Sequence, residues 1–295
     1  MNLKRSRESI LIRRWKRADL GYVADSIARE GWGHSTRDVE RCWRLEPHGC
    51  FLAVLHGVPV GHVFSVCYGK LGWIGLLIVN PEVRGRGVGS VLMGAAVNYL
   101  QRAGCKSIML EAVEKAVPLY RQFGFREEFD SLRFRGQVGL MVRLGRLESG
   151  IRKMREKDVV EVARFDVRYF GADRLRVLRS LLLDAPDFCY VAEDDTGVMG
   201  YIMARRVEDG FWVGPWVCER LRWARFLFDV LVEAVSGSDV VLRVGAPAVN
   251  VKAQGLLEKL DFQLTGKSVR MVLGSVEQGR DDATHVYGIG GPEKG

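Results

Sequence analysis

The sequence predicts an α/β (α+β) protein in which a mixed, mostly antiparallel central sheet is flanked by helices, and this arrangement occurs twice in tandem. Three observations support this fold class. An apolar strand, a glycine loop and a helix follow one another within residues 72–99. Strand-like and helix-like segments alternate on both sides of that stretch. A diluted copy of the first elements begins near residue 150, which indicates an internal repeat.

The central stretch begins with the apolar run Trp73–Val79, whose lack of polar alternation is typical of a strand covered on both faces. Pro81 ends this strand. A loop with three glycines and two arginines follows at Arg84–Ser90. From Val88 onward, apolar residues recur every three or four positions, as on one face of a helix. A glycine loop therefore opens directly onto a helix N-terminus.

This loop is suited to bind a pyrophosphate. Glycines let backbone N–H groups approach a ligand closely, the helix dipole favours negative charge, and Arg84 and Arg86 add positive charge. Two better-known phosphate loops do not fit, because no Gly-Lys-Ser/Thr follows and no G-x-G-x-x-G with a downstream acidic residue is present.

The other elements of the first half are predicted from periodicity, capping residues and turn residues. In chain order they are a strand at Ser9–Arg14, a helix at 18–30, a helix at 35–46 that begins with Ser35-x-x-Asp38, a hairpin of Cys50–Leu55 and Val58–Tyr68, the central strand and helix, a strand at Ser107–Leu110, a short helix around Tyr120, and a closing strand pair between Arg126 and Arg143.

Two motifs, correctly ordered and spaced, resemble those of the GNAT N-acetyltransferase superfamily. Arg84-x-x-Gly87-x-Gly89, after a Val-x-Pro strand end, is similar to the acyl-CoA motif of that superfamily. The segment from Ala116 to Phe125 is similar to its A-x-x-L-Y-x-x-x-G-F signature. The resemblance covers nearly the full chain, as a two-domain type with a divergent second GNAT domain. It implies acetyl-CoA as cosubstrate and an amine as acceptor.

The resemblance also implies roles for individual residues in binding CoA. The strand backbone would pair with the pantetheine amides, and the loop would hold the pyrophosphate. The residues are Leu77, Ile78, Val79, Arg84, Gly85, Arg86, Gly87, Val88, Gly89 and Ser90. For the glycines alone, a plain tight turn is the alternative.

Acyl transfer to an amine needs a neutral amine, a stabilised oxyanion and a proton for the departing thiolate. Tyr120 is the candidate acid, since a phenol of pKa about 10 can donate to a thiolate whose conjugate acid lies near 8.5. A tyrosine packed in the core is the alternative. Glu111 is the candidate general base, and a salt-bridged glutamate is the alternative. Val113 stands where many members of the superfamily carry an asparagine.

Four side chains are candidates for lining an acceptor pocket: Trp32, His34, Tyr68 and Trp73. His34 is also a second candidate for the base. Aromatic residues at this spacing are equally found in ordinary cores, which is the alternative for all four.

The second half repeats the first without its chemistry. Ile12-Arg13-x₅-Asp19 is echoed by Ile151-Arg152-x₅-Asp158, and the corner at 123–125 is echoed at 260–262. Where the glycine loop should lie, residues 218–224 read CERLRWA, and the position matching Tyr120 is near Leu257. We therefore predict that the second half does not bind CoA. The predicted domains are 1–147, an acyl-CoA-binding domain, 148–274, a degenerate copy, and 275–295, a C-terminal tail.

Composition limits the remaining classes of function. The chain has 295 residues and a formal charge of +8, and residues 1–150 hold 23 Lys and Arg against 14 Asp and Glu. A basic first half suits a polyanionic cosubstrate, and no nucleic-acid reader motif accompanies it. Six scattered cysteines without C-x-x-C pairs predict neither a zinc site nor disulfides, so no metal is expected. No apolar run approaches the roughly 20 residues of a membrane span, and no secretory signal is evident, so we expect a cytoplasmic protein.

The sequence therefore predicts an acetyl-CoA-dependent N-acetyltransferase in which a primary amine, of a small molecule or a peptide, attacks the thioester directly. A non-catalytic acyl-CoA sensor or assembly module is the alternative. A third interpretation has the basic N-terminal face docking nucleic acid or an acidic protein. The sequence does not identify the acceptor, the acyl chain length or the oligomeric state.

Overall fold

The computed structural model describes residues 10–140, 150–235, 240–275 and 283–295. Within them, strands from both halves of the chain form one continuous sheet. The strands are β1 Leu11–Arg14, β2 Cys50–Leu55, β3 Val58–Tyr68, β4 Leu71–Val79, β5 Ser107–Ala112, β6 Arg126–Gln137, β7 Ile151–Lys153, β8 Cys189–Asp194, β9 Gly197–Val207, β10 Gly210–Cys218, β11 Val241–Pro247, β12 Gln263–Gly274 and β13 Val286–Gly288. The helices are α1 Leu20–Arg29, α2 Thr36–Leu45, α3 Val88–Arg102, α4 Val117–Gln122, α5 Val159–Phe170, α6 Leu175–Asp184, α7 Leu221–Ala234 and α8 Val251–Lys259.

The mixed α/β fold class is confirmed. The hairpin of β2 and β3 has the predicted bounds. The capping box at the start of α2 is present as well: the Asp38 amide donates to the Ser35 hydroxyl at 3.2 Å, and the Ser35 amide donates to the Asp38 carboxylate at 2.9 Å. Ser9 and Arg143, at which two predicted strands begin or end, lie outside the described residues, as does most of the segment joining the predicted domains.

The two halves exchange their last strands at the centre of the sheet. The strand order is β1-β2-β3-β4-β5-β12-β6-β11-β10-β9-β8-β7. Strand β12 of the second half therefore lies beside β5 of the first, and β6 of the first half pairs with β11 of the second. The prediction of a closing strand pair between Arg126 and Arg143 is wrong in this respect, because β6 is one unbroken strand and its partners come from the second half.

Helices cover both faces of this sheet. On one face, α1, α2, α5 and α6 pack into a single shared core. On the other face, α3 and α4 cover the first half and α7 and α8 cover the second. Side chains alternate along each strand, so neighbours in sequence serve opposite cores. Met109, for example, belongs to the core beneath α1 and α2, whereas Leu110 belongs to the core beneath α3.

The internal repeat has a structural basis in both halves. The repeated arginine and aspartate form a two-pronged ion pair, Arg13 with Asp19 at 2.6 and 2.8 Å, and Arg152 with Asp158 at 2.5 and 3.0 Å. Each pair ties an edge strand to the start of the helix that follows. The repeated corner at 123–125 and 260–262 also has the same backbone conformation in both halves, since Gly124 and Asp261 both have a left-handed φ.

Residues 286–295, which the sequence analysis places in a C-terminal tail, are packed inside the protein. Strand β13 pairs with β10, and the side chains of Glu293 and Lys294 are almost fully buried. The Trp73 indole donates to the Pro292 carbonyl at 3.0 Å, and the Tyr68 hydroxyl donates to the Lys294 carbonyl at 2.9 Å. This segment therefore connects the two halves on the face covered by α1 and α2.

Candidate active site

A gap opens between β4 and β5, the two parallel strands of the first half. They pair only from Leu71 to Ile74 of β4, although β4 continues to Val79. Leu76 has a left-handed φ of +52°, and the register against β3 shifts here, which identifies a β-bulge. A bulge bends its strand and disrupts the ladder locally. The backbone groups of β4 beyond Ile74 that face β5 are therefore available to an extended ligand.

The glycine loop lies at the end of this gap. Gly85 and Gly87 have φ of +78° and +84°, and a Cβ atom on either would meet open space. Helix α3 begins at Val88, so the N–H groups of its first turn have no acceptors within the helix. The Arg84 guanidinium donates to the Val79 carbonyl at 2.9 Å and forms an ion pair with Glu30, which fixes the loop against the end of α1. These features fit a pyrophosphate.

A cavity of about 420 Å³ lies at the gap, and residues from both faces of the sheet line it. From the α3 and α4 side it is lined by Tyr120, Ala116 and Lys115. From the opposite side it is lined by the α1–α2 connection, by β6, β11 and β12, and by Pro292 and Glu293. Among the predicted cosubstrate residues, Leu77, Ile78, Val79 and Arg84 line this cavity.

Tyr120 occupies the α4 side of the cavity and is 7% exposed. Burial raises the pKa of its phenol to about 12. The hydroxyl has no hydrogen-bond partner among the residues described here. The side chain is therefore a protonated donor at neutral pH, and none of the described residues engages its hydroxyl.

Glu111 lines the cavity but is held on every side. Its carboxylate accepts from Ser131 at 2.9 Å, from Ser268 at 2.6 Å and from Arg270 at 2.7 Å, and Arg133 lies 3.8 Å away. Burial alone would raise its pKa, but Arg270 and Arg133 lower it below the ordinary value. A carboxylate with a lowered pKa is a weaker base than an ordinary one.

His34 and Trp32, two of the candidates for the acceptor pocket, line the cavity from the α1–α2 connection. The His34 Nε2 atom lies 3.2 Å from the Glu293 carboxylate, but both of its ring nitrogens are buried without a hydrogen-bond partner in the described structure. Burial would raise the Glu293 pKa, but Lys294, His34 and Arg205 hold it well below its usual range. The cavity therefore contains an imidazole beside an ionised carboxylate.

Tyr68 and Trp73, the other two candidates for the pocket, do not line the cavity. Trp73 is fully buried, and both rings pack against Phe170 of α5. Both side chains instead donate hydrogen bonds to backbone carbonyls of the 286–295 segment. They hold that segment in place, and this is the core role that the sequence analysis left open.

The corresponding gap in the second half is filled by the chain itself. Strands β10 and β11 pair in parallel over four residue pairs, up to Val213, and then separate as β4 and β5 do. Strand β13 occupies the space, paired with β10, and the Ile289 amide donates to the Gly245 carbonyl of β11 at 2.8 Å. Only Glu219 and Arg220 join β10 to α7, so no loop comparable to the glycine loop is present there.

Three residues at the candidate site were not predicted from the sequence: Arg133, Arg270 and Glu293. The two arginines lie on β6 and β12, and they approach Glu111 only because of the strand exchange. The third residue lies in the segment assigned as a tail. The only local signal for them was the spacing of Arg133 and Arg135, which places two cations on the same face of a strand.

A splayed pair of parallel strands, a glycine loop at a helix N-terminus and a tyrosine facing the gap together define an acyl-CoA-dependent acyltransferase fold. Comparison with protein families agrees with this class. Residues 13–125 match the acetyltransferase (GNAT) family, and residues 162–288 match an acetyltransferase (GNAT) domain. The chain belongs to the GNAT acyltransferase family and contains two GNAT domains.

Individual relatives span most of the chain. Holothin acyltransferase of Pseudoalteromonas sp. (strain SANK 73390) is 25% identical over 252 residues, covering 85% of this chain and 83% of that protein. A crystal structure from Pyrococcus horikoshii superimposes with a TM-score of 0.79 at 25% identity, covering 100% and 98% of the two chains. The tandem GNAT protein from the clavulanic acid biosynthesis pathway has a TM-score of 0.66 at 13% identity, over 91% of this chain and 100% of its own. This last likeness concerns the fold.

None of the helices in the described ranges combines the length and apolarity that crossing a bilayer requires.

Proposed function

We propose that the protein is an acetyl-CoA-dependent N-acetyltransferase whose acceptor is a primary amine. The observation that carries this proposal is the cavity at the β4–β5 gap, which is lined by Arg84 and Tyr120 on one side and by His34 and Glu293 on the other. A thioester held in such a gap would be accessible to an amine from the opposite face. The proposed domain assignment, residues 1–147 as the acyl-CoA-binding unit, agrees with the filled gap in the second half.

In this proposal the cosubstrate follows β4. The backbone of Leu77, Ile78 and Val79 would pair with the pantetheine amides, because those strand groups have no β5 partner. The N–H groups of residues 85–90 would hold the pyrophosphate. The bulge at Leu76 would direct one backbone N–H toward the thioester carbonyl, where negative charge develops during attack.

Tyr120 would give its proton to the departing CoA thiolate. We expect Tyr120→Phe to lower kcat by about 100-fold, which is the smaller end of what a general acid contributes, with little change in the KM for acetyl-CoA. Steady-state release of the CoA thiol measures both constants. The matched control is Tyr190→Phe, which removes a hydroxyl bonded to the Asp187 carbonyl in the second half. Equal losses in the two variants would contradict a role in catalysis.

For the base, we propose His34 in place of Glu111. Direct attack needs the acceptor as a free amine, and Glu111 is tied to two arginines and two serines. Glu293 would hold the Nε2–H of His34, which leaves the lone pair of Nδ1 to accept the ammonium proton directly or through water. Glu293 is then a positioning residue that acts through the imidazole.

The expected result for His34→Gln is a fall in kcat of about 100-fold without loss of acetyl-CoA binding, because a proton acceptor is removed and the gap is untouched. Kinetics of thiol release together with calorimetric binding of acetyl-CoA measure this. His48→Gln, at an exposed histidine outside the cavity, is the control. Full turnover by His34→Gln would exclude His34 as the base.

The alternative function, an acyl-CoA sensor without turnover, is favoured by one observation, the complete ion pairing of Glu111. A single assay distinguishes the two functions. Tight acetyl-CoA binding with no thiol release from pooled amines, amino acids, polyamines and lysine peptides would support the sensor. Thiol release that depends on one pool would support the enzyme.

A further inference from the structure

A group of cations lies on the wall of the cavity farthest from the glycine loop. Arg133 and Arg135 are on β6, and Arg243 is their neighbour on β11, on the sheet face covered by α1 and α2. We call these three residues the seam arginines, because they lie where the two halves meet. Their strands are brought together by the strand exchange.

Arg133 is the deepest of the three. Its Nη2 atom donates to Ser268 at 2.6 Å, whereas its Nη1 atom is buried and has no hydrogen-bond partner in the described residues. Gly245 makes room for it, since a Cβ atom there would overlap Nη1. Burial lowers the Arg133 pKa although Glu111 opposes the shift. An unpartnered guanidinium nitrogen at a cavity wall is costly unless a ligand supplies the acceptor.

The carboxylates of the cavity do not neutralise this wall. Six Lys and Arg side chains line the cavity, against three carboxylates. Glu30 is engaged by Arg84 and Lys115, Glu293 is engaged by Lys294 and Arg205, and Glu111 is shared between Arg270 and Arg133. Arg243 pairs with Asp209 and Lys267 pairs with Asp130, two carboxylates outside the cavity lining, and Arg135 has no ion pair among the residues that the structure describes. Positive charge is therefore in excess at the seam.

The phosphates of CoA would not meet this excess charge. The glycine loop leads into α3, which packs on one face of the sheet, whereas Arg133 shares the opposite face with Glu111 and Ser268. Two strands, β5 and β12, also separate β4 from Arg133 and Arg135 on β6, and a third, β6, separates it from Arg243 on β11. The anion that they attract must therefore arrive on the acceptor side.

We propose that the acceptor is an amine that also carries an anionic group, a carboxylate or a phosphate, which Arg133 binds with help from Arg135. This inference rests on the proposed function and specifies its substrate class. Arginine forks match the planar oxygens of both groups, and charged hydrogen bonds are stronger than neutral ones. With its anion at the seam, such a molecule would extend its amine toward His34 and the gap.

The test uses two pairs of amines that differ in charge: β-alanine with β-alaninamide, and 3-aminopropyl phosphate with 3-aminopropanol. Binding to the full chain in the presence of CoA is measured by calorimetry, and turnover by thiol release with acetyl-CoA. We expect at least one anionic member to bind about 10-fold or more tightly than its neutral counterpart, and Arg133→Met to remove that preference. Arg135→Met, at an exposed side chain, should reduce it by a smaller factor.

Arg164→Met is the control, because that arginine is exposed on α5 and far in sequence from the site. A preference for β-alanine or for the aminoalkyl phosphate identifies the carboxylate or the phosphate as the recognised group. The inference is overturned if neutral members bind as well as the anions, if neither anion binds at millimolar concentration, or if both arginine variants keep the preference. Anion-selective binding without thiol release would leave the inference standing and overturn the proposed transferase activity.

Discussion

Gly87→Glu is expected to abolish acetyl-CoA binding, with a loss of affinity of at least about 100-fold. The substitution places a carboxylate at the N-terminus of α3, where the pyrophosphate would lie. Two unit charges 4 Å apart repel by about 4 kcal/mol at an effective dielectric constant of 20, and each 1.4 kcal/mol is a tenfold change in affinity. Calorimetric titration of the full chain measures the effect. The same titration of the wild type should give one site per chain, because strand β13 fills the second gap.

Gly57→Glu is a closely matched control for this variant. Gly57 has φ of +81°, against +84° for Gly87, and a Cβ atom on either meets open space. Both substitutions therefore carry the same backbone cost of about 1–2 kcal/mol, while only one adds charge beside the cosubstrate. If the two variants lose affinity equally, the loss comes from strain or misfolding, and the loop is not the pyrophosphate site.

The second large effect is expected in stability rather than in turnover. Glu111→Gln should lower the free energy of unfolding by about 3–5 kcal/mol, because it leaves the buried Arg270 without its carboxylate. Urea unfolding monitored by circular dichroism measures this. The control is Glu161→Gln, which breaks an exposed ion pair with Arg164 and should cost about 0.5 kcal/mol. A fully stable Glu111→Gln variant without turnover would instead return the role of base to Glu111.

The difference in unfolding free energy between the wild type and Glu111→Gln should decrease at acidic pH. The folded protein lowers the pKa of Glu111, so the carboxylate stabilises the fold above its unfolded pKa of about 4.3. The contribution is lost as the pH falls through the lower folded value. The gap in unfolding free energy between the wild type and Glu111→Gln should therefore be constant near neutral pH and narrow below about pH 4.

Local sequence signals predicted the parts of the candidate site that lie within one supersecondary unit. The strand, the glycine loop and α3 are contiguous, and Tyr120 follows on the next helix, so periodicity and turn residues were sufficient. The hairpin of β2 and β3 was predicted to the residue for the same reason. Such elements depend on interactions between near neighbours in sequence.

The surroundings of Glu111 could not be predicted in this way. Its partners Ser268 and Arg270 lie more than 150 residues away in the sequence. The periodicity of apolar residues predicts where strands occur, but not the order of the strands in the sheet. In a duplicated chain the difficulty is greater, because β6 and β12 follow equivalent helices and compete for equivalent positions in the sheet. Trp73 and Tyr68 illustrate a related limit: their spacing was visible, but the segment that covers them is remote in sequence.

The exchange of β6 and β12 explains why a half that has lost its own loop would be retained. Strand β12 borders β5 and supplies Ser268 and Arg270 to Glu111, so the first half has no complete sheet of its own. Deleting the second half would expose the edge of β5. It would also leave the buried Glu111 carboxylate without Ser268 and Arg270. We therefore expect the first half to reach its final form only after residues 263–274 of the second half have been synthesised.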